Sequence, residues 1–165
     1  MAFSWDLLRK TLNLRLMAWL RIPLLASVRP TFVELDERHC VIRVPLRRWT
    51  RNHLGSMYFG ALAIGADCAG GILAVERIRA RKAGLSLVFK SFRATFLKRP
   101  ESDVYFICED GERIGELMDR TLATGERQTG PVEVRAAVRT DDGSYETVAE
   151  CVLELSLKPS RTGVL

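Results

Sequence analysis

Histidine is scarce in this chain and no cysteines are paired by spacing. There are two histidines, His39 and His53, and four cysteines, Cys40, Cys68, Cys108 and Cys151, which stand far apart with no Cys-x-x-Cys. That excludes the usual structural zinc spacings, and no metal site is expected. Each cysteine lies among apolar neighbours, as buried free thiols do in a reducing compartment. The apolar run from Leu14 to Leu25 is broken by Arg15 and Arg21, so it falls short of the roughly 20 apolar residues of a membrane span. No basic n-region precedes it, so no signal peptide is read there and a cytoplasmic protein is expected. Internal repeats, linkers and low-complexity stretches are missing as well.

Neither sign of charge is concentrated. Lys and Arg number 25 against 20 Asp and Glu, a net charge of +5 spread along the chain. No basic stripe interleaved with aromatics appears, so no nucleic-acid partner is expected. The excess of cations suits an ordinary solvated surface, an anionic ligand or an acidic membrane. A length of 165 residues with 47% hydrophobic content predicts one domain with a real core.

The pattern predicts a helical extension over residues 1–28, a main domain over 29–158 and a loose tail over 159–165. Ser4 is a candidate cap for a helix from Trp5 to Leu20, in which Leu8, Leu12, Leu16, Trp19 and Leu20 recur at helical spacing. Such a helix packs on the domain or a partner subunit, or lies on a membrane as a basic amphipathic element. Asp6 and Asn13 dilute its basic face, so membrane contact is expected to be weak at most. Pro23 and Pro30 are expected to end helical structure.

Strands are expected at Thr31–Asp36, Cys40–Leu46, Leu85–Leu97, Val104–Cys108, Val132–Arg139 and Tyr145–Leu157. Asp141-Asp142-Gly143-Ser144 is the hairpin signal between the last two. Strict alternation along Leu85–Leu97 puts Leu87, Phe89, Ser91, Arg93 and Thr95 on one face. A shorter helix follows Asp110-Gly111, with Ile114, Leu117, Met118 and Leu122 apolar and Gly125 as its stop.

The segment from Tyr58 to Val75, YFGALAIGADCAGGILAV, holds one charge, Asp67. A helix apolar all round is expected to be buried all round, and a lone carboxylate there must be paired, hydrogen-bonded or used. Ser56 is the candidate N-cap. Gly70-Gly71 inside the pattern would let another backbone come close. The layout implies an α+β fold in which an antiparallel sheet of five to six strands wraps the long helix, with an extra helix in front. Sheet edges left over favour dimerisation.

The run Asn52-His53-Leu54-Gly55-Ser56-Met57-Tyr58-Phe59-Gly60, followed by Asp67, resembles the helix-entry motif of hotdog-fold acyl-CoA thioesterases in the phenylacetate-degradation branch. That motif runs Asn, two residues, Gly, two residues, His-Gly-Gly, and an acidic residue seven positions on. Asn52, Gly55, Gly60 and Asp67 stand at those spacings, and the resemblance covers residues 30 to 157. Tyr58-Phe59 replaces the His-Gly pair, as in an uncharacterised subfamily with a Tyr-Phe-Gly entry.

The resemblance implies a hotdog fold and hydrolysis of acyl-CoA or a related thioester. Asp67 would be base or nucleophile, Asn52 would orient water or carbonyl, and the Gly60 amide region would hold the oxyanion. Tyr58, Phe59, His53 and Ser56 would contact substrate. No cofactor is implied beyond the coenzyme A of the substrate, whose phosphates Lys90, Arg93, Lys98, Arg99 and Arg127 are candidates to meet. In that family the site forms between subunits, so a homodimer or homotetramer is expected. An acyl-thioester-binding protein without catalysis is the alternative, because the His-Gly pair is gone.

Overall fold

The computed structural model describes residues 5–160. Ser4, the expected cap of the first helix, lies outside them. The order of elements is α1 (Trp5–Arg21), α2 (Pro23–Ser27), β1 (Thr31–Leu35), β2 (Cys40–Val44), α3 (Phe59–Ala80), β3 (Leu85–Phe96), β4 (Val104–Cys108), α4 (Gly111–Thr124), β5 (Gln128–Arg139) and β6 (Tyr145–Pro159). The strands form one antiparallel sheet in the order β1-β2-β4-β5-β6-β3.

The sheet curves around α3, which touches β2, β3, β4, β5 and β6. Close approach is set by a small residue: a Cβ on Gly65 would lie 2.3 Å from the ring of fully buried Phe106 on β4. Gly70 meets Val132 and Val134 side chains and Gly71 meets Phe89, so these two accommodate side chains where a close backbone was expected. The fourth helix packs on α3, β5 and β6, with Ile114, Leu117 and Met118 inward. Leu122, expected inward with them, is exposed. Gly125 stops α4 in the left-handed conformation at φ 67°. A small second cluster of Val41, Ile107 and Ala137 covers part of the sheet's other face.

Several local expectations are corrected. The first helix ends at Arg21, just before Pro23 as expected, but Pro23 also starts α2 at its first position, where its missing N–H costs nothing. The N-cap of α3 is Tyr58 and not Ser56. The fifth strand begins at Gln128, and the last continues to Pro159, the first residue of the expected tail. Strict alternation fails in β3. A bulge between Phe89 and Phe92 pairs them with Leu155 and Leu153, so both phenylalanines share the face turned to α3.

The first helix also differs. It packs through Thr11, Leu14 and Ala18, whereas Leu8, Leu12, Leu16, Trp19 and Leu20, which carry its apolar period, are exposed. Arg15 fastens it to β1 by donating to the Pro30 carbonyl at 2.9 Å and Thr31 Oγ1 at 2.6 Å. The Thr11 hydroxyl accepts from the Phe32 amide at 3.1 Å.

Candidate active site

The sheet covers only one side of α3. Ile64, Gly71, Ile72 and Val75 are half-buried and Asp67 is exposed, so the expectation of burial on every side is corrected. The uncovered strip follows from topology: six strands in one chain close around half of a helix that is apolar all round. Alongside it runs a cleft of about 630 Å³ between α1, α2, α3 and β3. Leu14, Met17, Leu25, Ile72, Val75 and Phe89 give it apolar walls, and Asp67 brings a carboxylate to it. A neighbouring cavity of about 480 Å³ shares Leu14, Met17, Ile72 and Val75.

Among the described residues, the Asp67 carboxylate has no ion pair and accepts no hydrogen bond. Although the residue reaches solvent, the apolar atoms around its carboxyl desolvate the charged form and push its pKa above the ordinary carboxylate value. Sealing by a salt bridge, the structural alternative to a working carboxylate, does not occur among the described residues.

The helix-entry residues gather elsewhere. Asn52, His53, Ser56, Tyr58, Phe59 and Lys98 line a separate pocket, of about 290 Å³, at the N-terminus of α3. Seven residues of helix separate Gly60 from Asp67, about 10 Å along the axis at 1.5 Å per residue. One chain therefore brings Asn52, His53, Ser56, Tyr58 and Phe59 together and leaves Asp67 in a different cleft.

The loop before α3 is built by two of these side chains. Asn52 Oδ1 accepts from the Leu54 amide at 2.9 Å, and Asn52 Nδ2 donates to Ser56 Oγ at 3.1 Å. The Asn52 amide donates to the Ser56 carbonyl at 2.8 Å, and Gly55 takes φ 87° at the turn. Ser56 is buried, so its hydroxyl supports Asn52 more directly than it could meet a ligand. His53 is exposed on the same loop.

Tyr58 and Phe59 stand out from the helix entry, 48% and 58% exposed, with ring centroids 4.7 Å apart. The Tyr58 amide donates to the Thr50 carbonyl at 2.8 Å, and the Tyr58 carbonyl accepts from Ala61 at 2.9 Å. No acceptor within the described residues takes the amides of Phe59 and Gly60. These are orphan donors of a first helical turn, aimed where the helix dipole favours negative charge. Lys98 and Arg99 reach this pocket, though each is near a carboxylate, Lys98 to Glu146 at 2.6 Å and Arg99 to Glu101 at 3.7 Å. Arg127 bonds Ser156 Oγ at 2.8 Å instead. The cleft wall formed by α1 and α2 was missed by sequence reasoning; only the apolar character of Leu14, Met17 and Leu25 hinted at it.

A family model matches residues 11–157. The chain belongs to the DUF4442 family, described as a domain of unknown function. No curated protein matches the sequence. Solved structures resemble this DUF4442 protein over nearly its whole length. One, from Pseudomonas aeruginosa and named a protein of unknown function and probable thioesterase, is 23% identical with TM-score 0.74, covering 90% of this chain and 95% of its own. A Haemophilus influenzae thioesterase is 12% identical with TM-score 0.63, covering 98% and 95%. A thioesterase family protein from Silicibacter pomeroyi is 15% identical with TM-score 0.63, covering 91% and 99%. The DUF4442 chain thus has the hotdog fold, with α3 as its central helix.

Proposed function

We propose that this DUF4442 protein is a cytoplasmic hotdog hydrolase of acyl-CoA or related acyl thioesters. One observation carries the reading: a carboxylate, Asp67, with no partner among the described residues, standing in an apolar cleft of about 630 Å³. Cavities of a few hundred cubic ångströms lined mainly by apolar groups with few polar ones are the usual form of small-molecule sites. The names of the similar solved structures and the Asn52, Gly55, Gly60, Asp67 spacing, like that of the phenylacetate-degradation branch, point the same way.

In this reading Asp67 takes a proton from water as the water oxygen attacks the thioester carbon. The carbonyl oxygen gathers negative charge against the Phe59 and Gly60 amides. The C–S bond then breaks, and the departing sulfur recovers the proton. A raised pKa makes Asp67 a stronger base than a solvated aspartate. Asn52 positions the loop, and Tyr58, Phe59 and His53 flank the acyl thioester at the helix entry.

A second copy is required. The third strand is a sheet edge 12 residues long, with Val88, Phe92 and Phe96 exposed. Ser86–Phe89 line the Asp67 cleft, and Phe96 lines the helix-entry pocket. Antiparallel pairing of two such edges about their midpoint sets Phe96 of one copy opposite Leu85 of the other. In this reading such pairing turns the Asp67 cleft of one subunit toward the helix entry of its partner.

The test is release of free thiol from a panel of acyl-CoA substrates. The reading expects turnover of at least one and its loss in Asp67→Ala; turnover unchanged by that substitution refutes it. The alternative, acyl-thioester binding without catalysis, draws on the engagement of Asn52 in its own loop. Tight acyl-CoA binding with no thiol release across the panel would favour it.

A further inference from the structure

All three tryptophans of this chain face outward: Trp5 is 76%, Trp19 69% and Trp49 86% exposed. Tryptophan is among the largest apolar side chains and ordinarily hides most of its surface. On α1 the exposed set Trp5, Leu8, Leu12, Leu16, Trp19 and Leu20 falls within an arc of about 120° on a helix of 3.6 residues per turn. The opposite arc, Thr11, Leu14 and Ala18, is the one docked on the domain. Leu24 of α2 continues the ridge at 67% exposed. Contiguous outward apolar surface of this kind marks a docking site.

Charge identifies the occupant. Arg9, Lys10, Arg15, Arg21 and Arg29 share the segment of the ridge, Arg9 and Lys10 each 3.3 Å from Asp6, and Arg47, Arg48 and Arg51 flank Trp49 in sequence. Against these eight cations the two segments hold one carboxylate, Asp6. Their net charge is therefore +7, whereas the whole chain carries +5. The segments adjoin: Arg15 donates to the Arg29 carbonyl at 3.2 Å and to Thr31 Oγ1 at 2.6 Å, and Thr31 pairs with Arg43 on β2, the strand that leads into the Trp49 turn. The Trp49 turn is fixed by Thr50, whose hydroxyl donates to the Pro45 carbonyl at 2.7 Å and accepts from the Arg47 amide at 2.8 Å. An apolar ridge with indoles at its ends and an excess of cations in its segments matches the interface of an anionic bilayer. A second copy of the same face would set like charges against each other.

We propose that the α1 ridge and the Trp49 turn together dock this protein on the surface of anionic phospholipid membranes. The proposal does not depend on hydrolysis, and its test uses no enzymatic readout. The full chain is sedimented with phosphatidylcholine vesicles with and without phosphatidylglycerol, at low and high salt. Co-sedimentation only with the anionic vesicles, weakened by salt and accompanied by a blue shift of tryptophan emission, is expected. The variant L12Q/L16Q/W19Q should lose at least tenfold in partitioning while keeping its circular dichroism, because the changed side chains are exposed. Arg48→Gln should weaken partitioning on the order of fivefold, the effect of one cation near an anionic surface. No binding to phosphatidylglycerol vesicles overturns the proposal, as does equal binding by the triple variant. So does an oligomer that the triple variant dissociates while the wild type ignores vesicles, which would make the ridge a self-interface.

Discussion

The ring of Tyr58 folds over Gly60, so that a Cβ at residue 60 would lie 2.7 Å from Tyr58 Cε1. Gly60→Ala should push that half-exposed ring across the helix entry while slightly favouring the helix, by roughly 0.5–1 kcal/mol. The expected outcome is a tenfold or greater loss of kcat/KM on the best acyl-CoA substrate with no fall in Tm. Adding Tyr58→Ala should restore part of the activity, which steady-state kinetics of the double variant will check.

A different glycine serves packing alone. The Gly65→Ala methyl would collide with Phe106, a buried ring that cannot swing into solvent. Overpacking of this kind costs about 1–3 kcal/mol. Urea denaturation should register that loss, and Phe106→Leu in the same chain should make the two effects less than additive.

On the proposed reading, Asp67 links activity to pH. Its carboxyl is held above the ordinary value of 3.8 by desolvation, so the folded state binds the proton more tightly than the unfolded chain does. Below 3.8 both states are protonated and the group costs nothing; as pH rises through the elevated folded value, ionisation withdraws stability. Asp67→Asn should therefore melt higher than wild type at neutral pH, an advantage that shrinks as pH falls toward 3.8. In the proposed mechanism turnover needs the ionised base, so the acid limb of kcat/KM is expected above 3.8.

The four thiols should be inert in the native protein. All are buried, and burial pushes Cys108 up to about 12 and Cys151 up to about 11, with Cys40 and Cys68 raised as well. Thiolate is the reactive form. A disulfide-exchange reagent at neutral pH should label no cysteine before denaturation and all four after it.

Element identity was legible because long periodic segments and turn residues declare themselves: Gly125 ends α4, and Asp-Gly at 142–143 joins β5 to β6. What escaped depended on neighbours. The bulge at Phe89–Phe92 answers to pairing with β6 and leaves no mark in alternation. The exposure of Leu12, Leu16 and Trp19 could not be read, because period reveals an apolar stripe but not which stripe meets the domain. For the site, spacing singled out Asp67 and the Asn52 loop, and the structure adds that they open into separate cavities. Separation of that sort is invisible to spacing, since it depends on how the sheet divides the surface of α3.

The position of β6 has a consequence for how the chain is made. This last strand pairs with β5 on one side and β3 on the other, and Phe89 meets Leu155 across a long stretch of intervening sequence. Until the residues of β6 leave the ribosome, β3 has no hydrogen-bonding neighbour in the sheet and the greasy α3 lies partly bare. Distant pairings of this kind close slowly, and nascent species with uncovered apolar surface aggregate readily. Synthesis thus passes through a vulnerable interval that lasts until β6 is made, and chains cut short before Leu153 should be recovered as insoluble material.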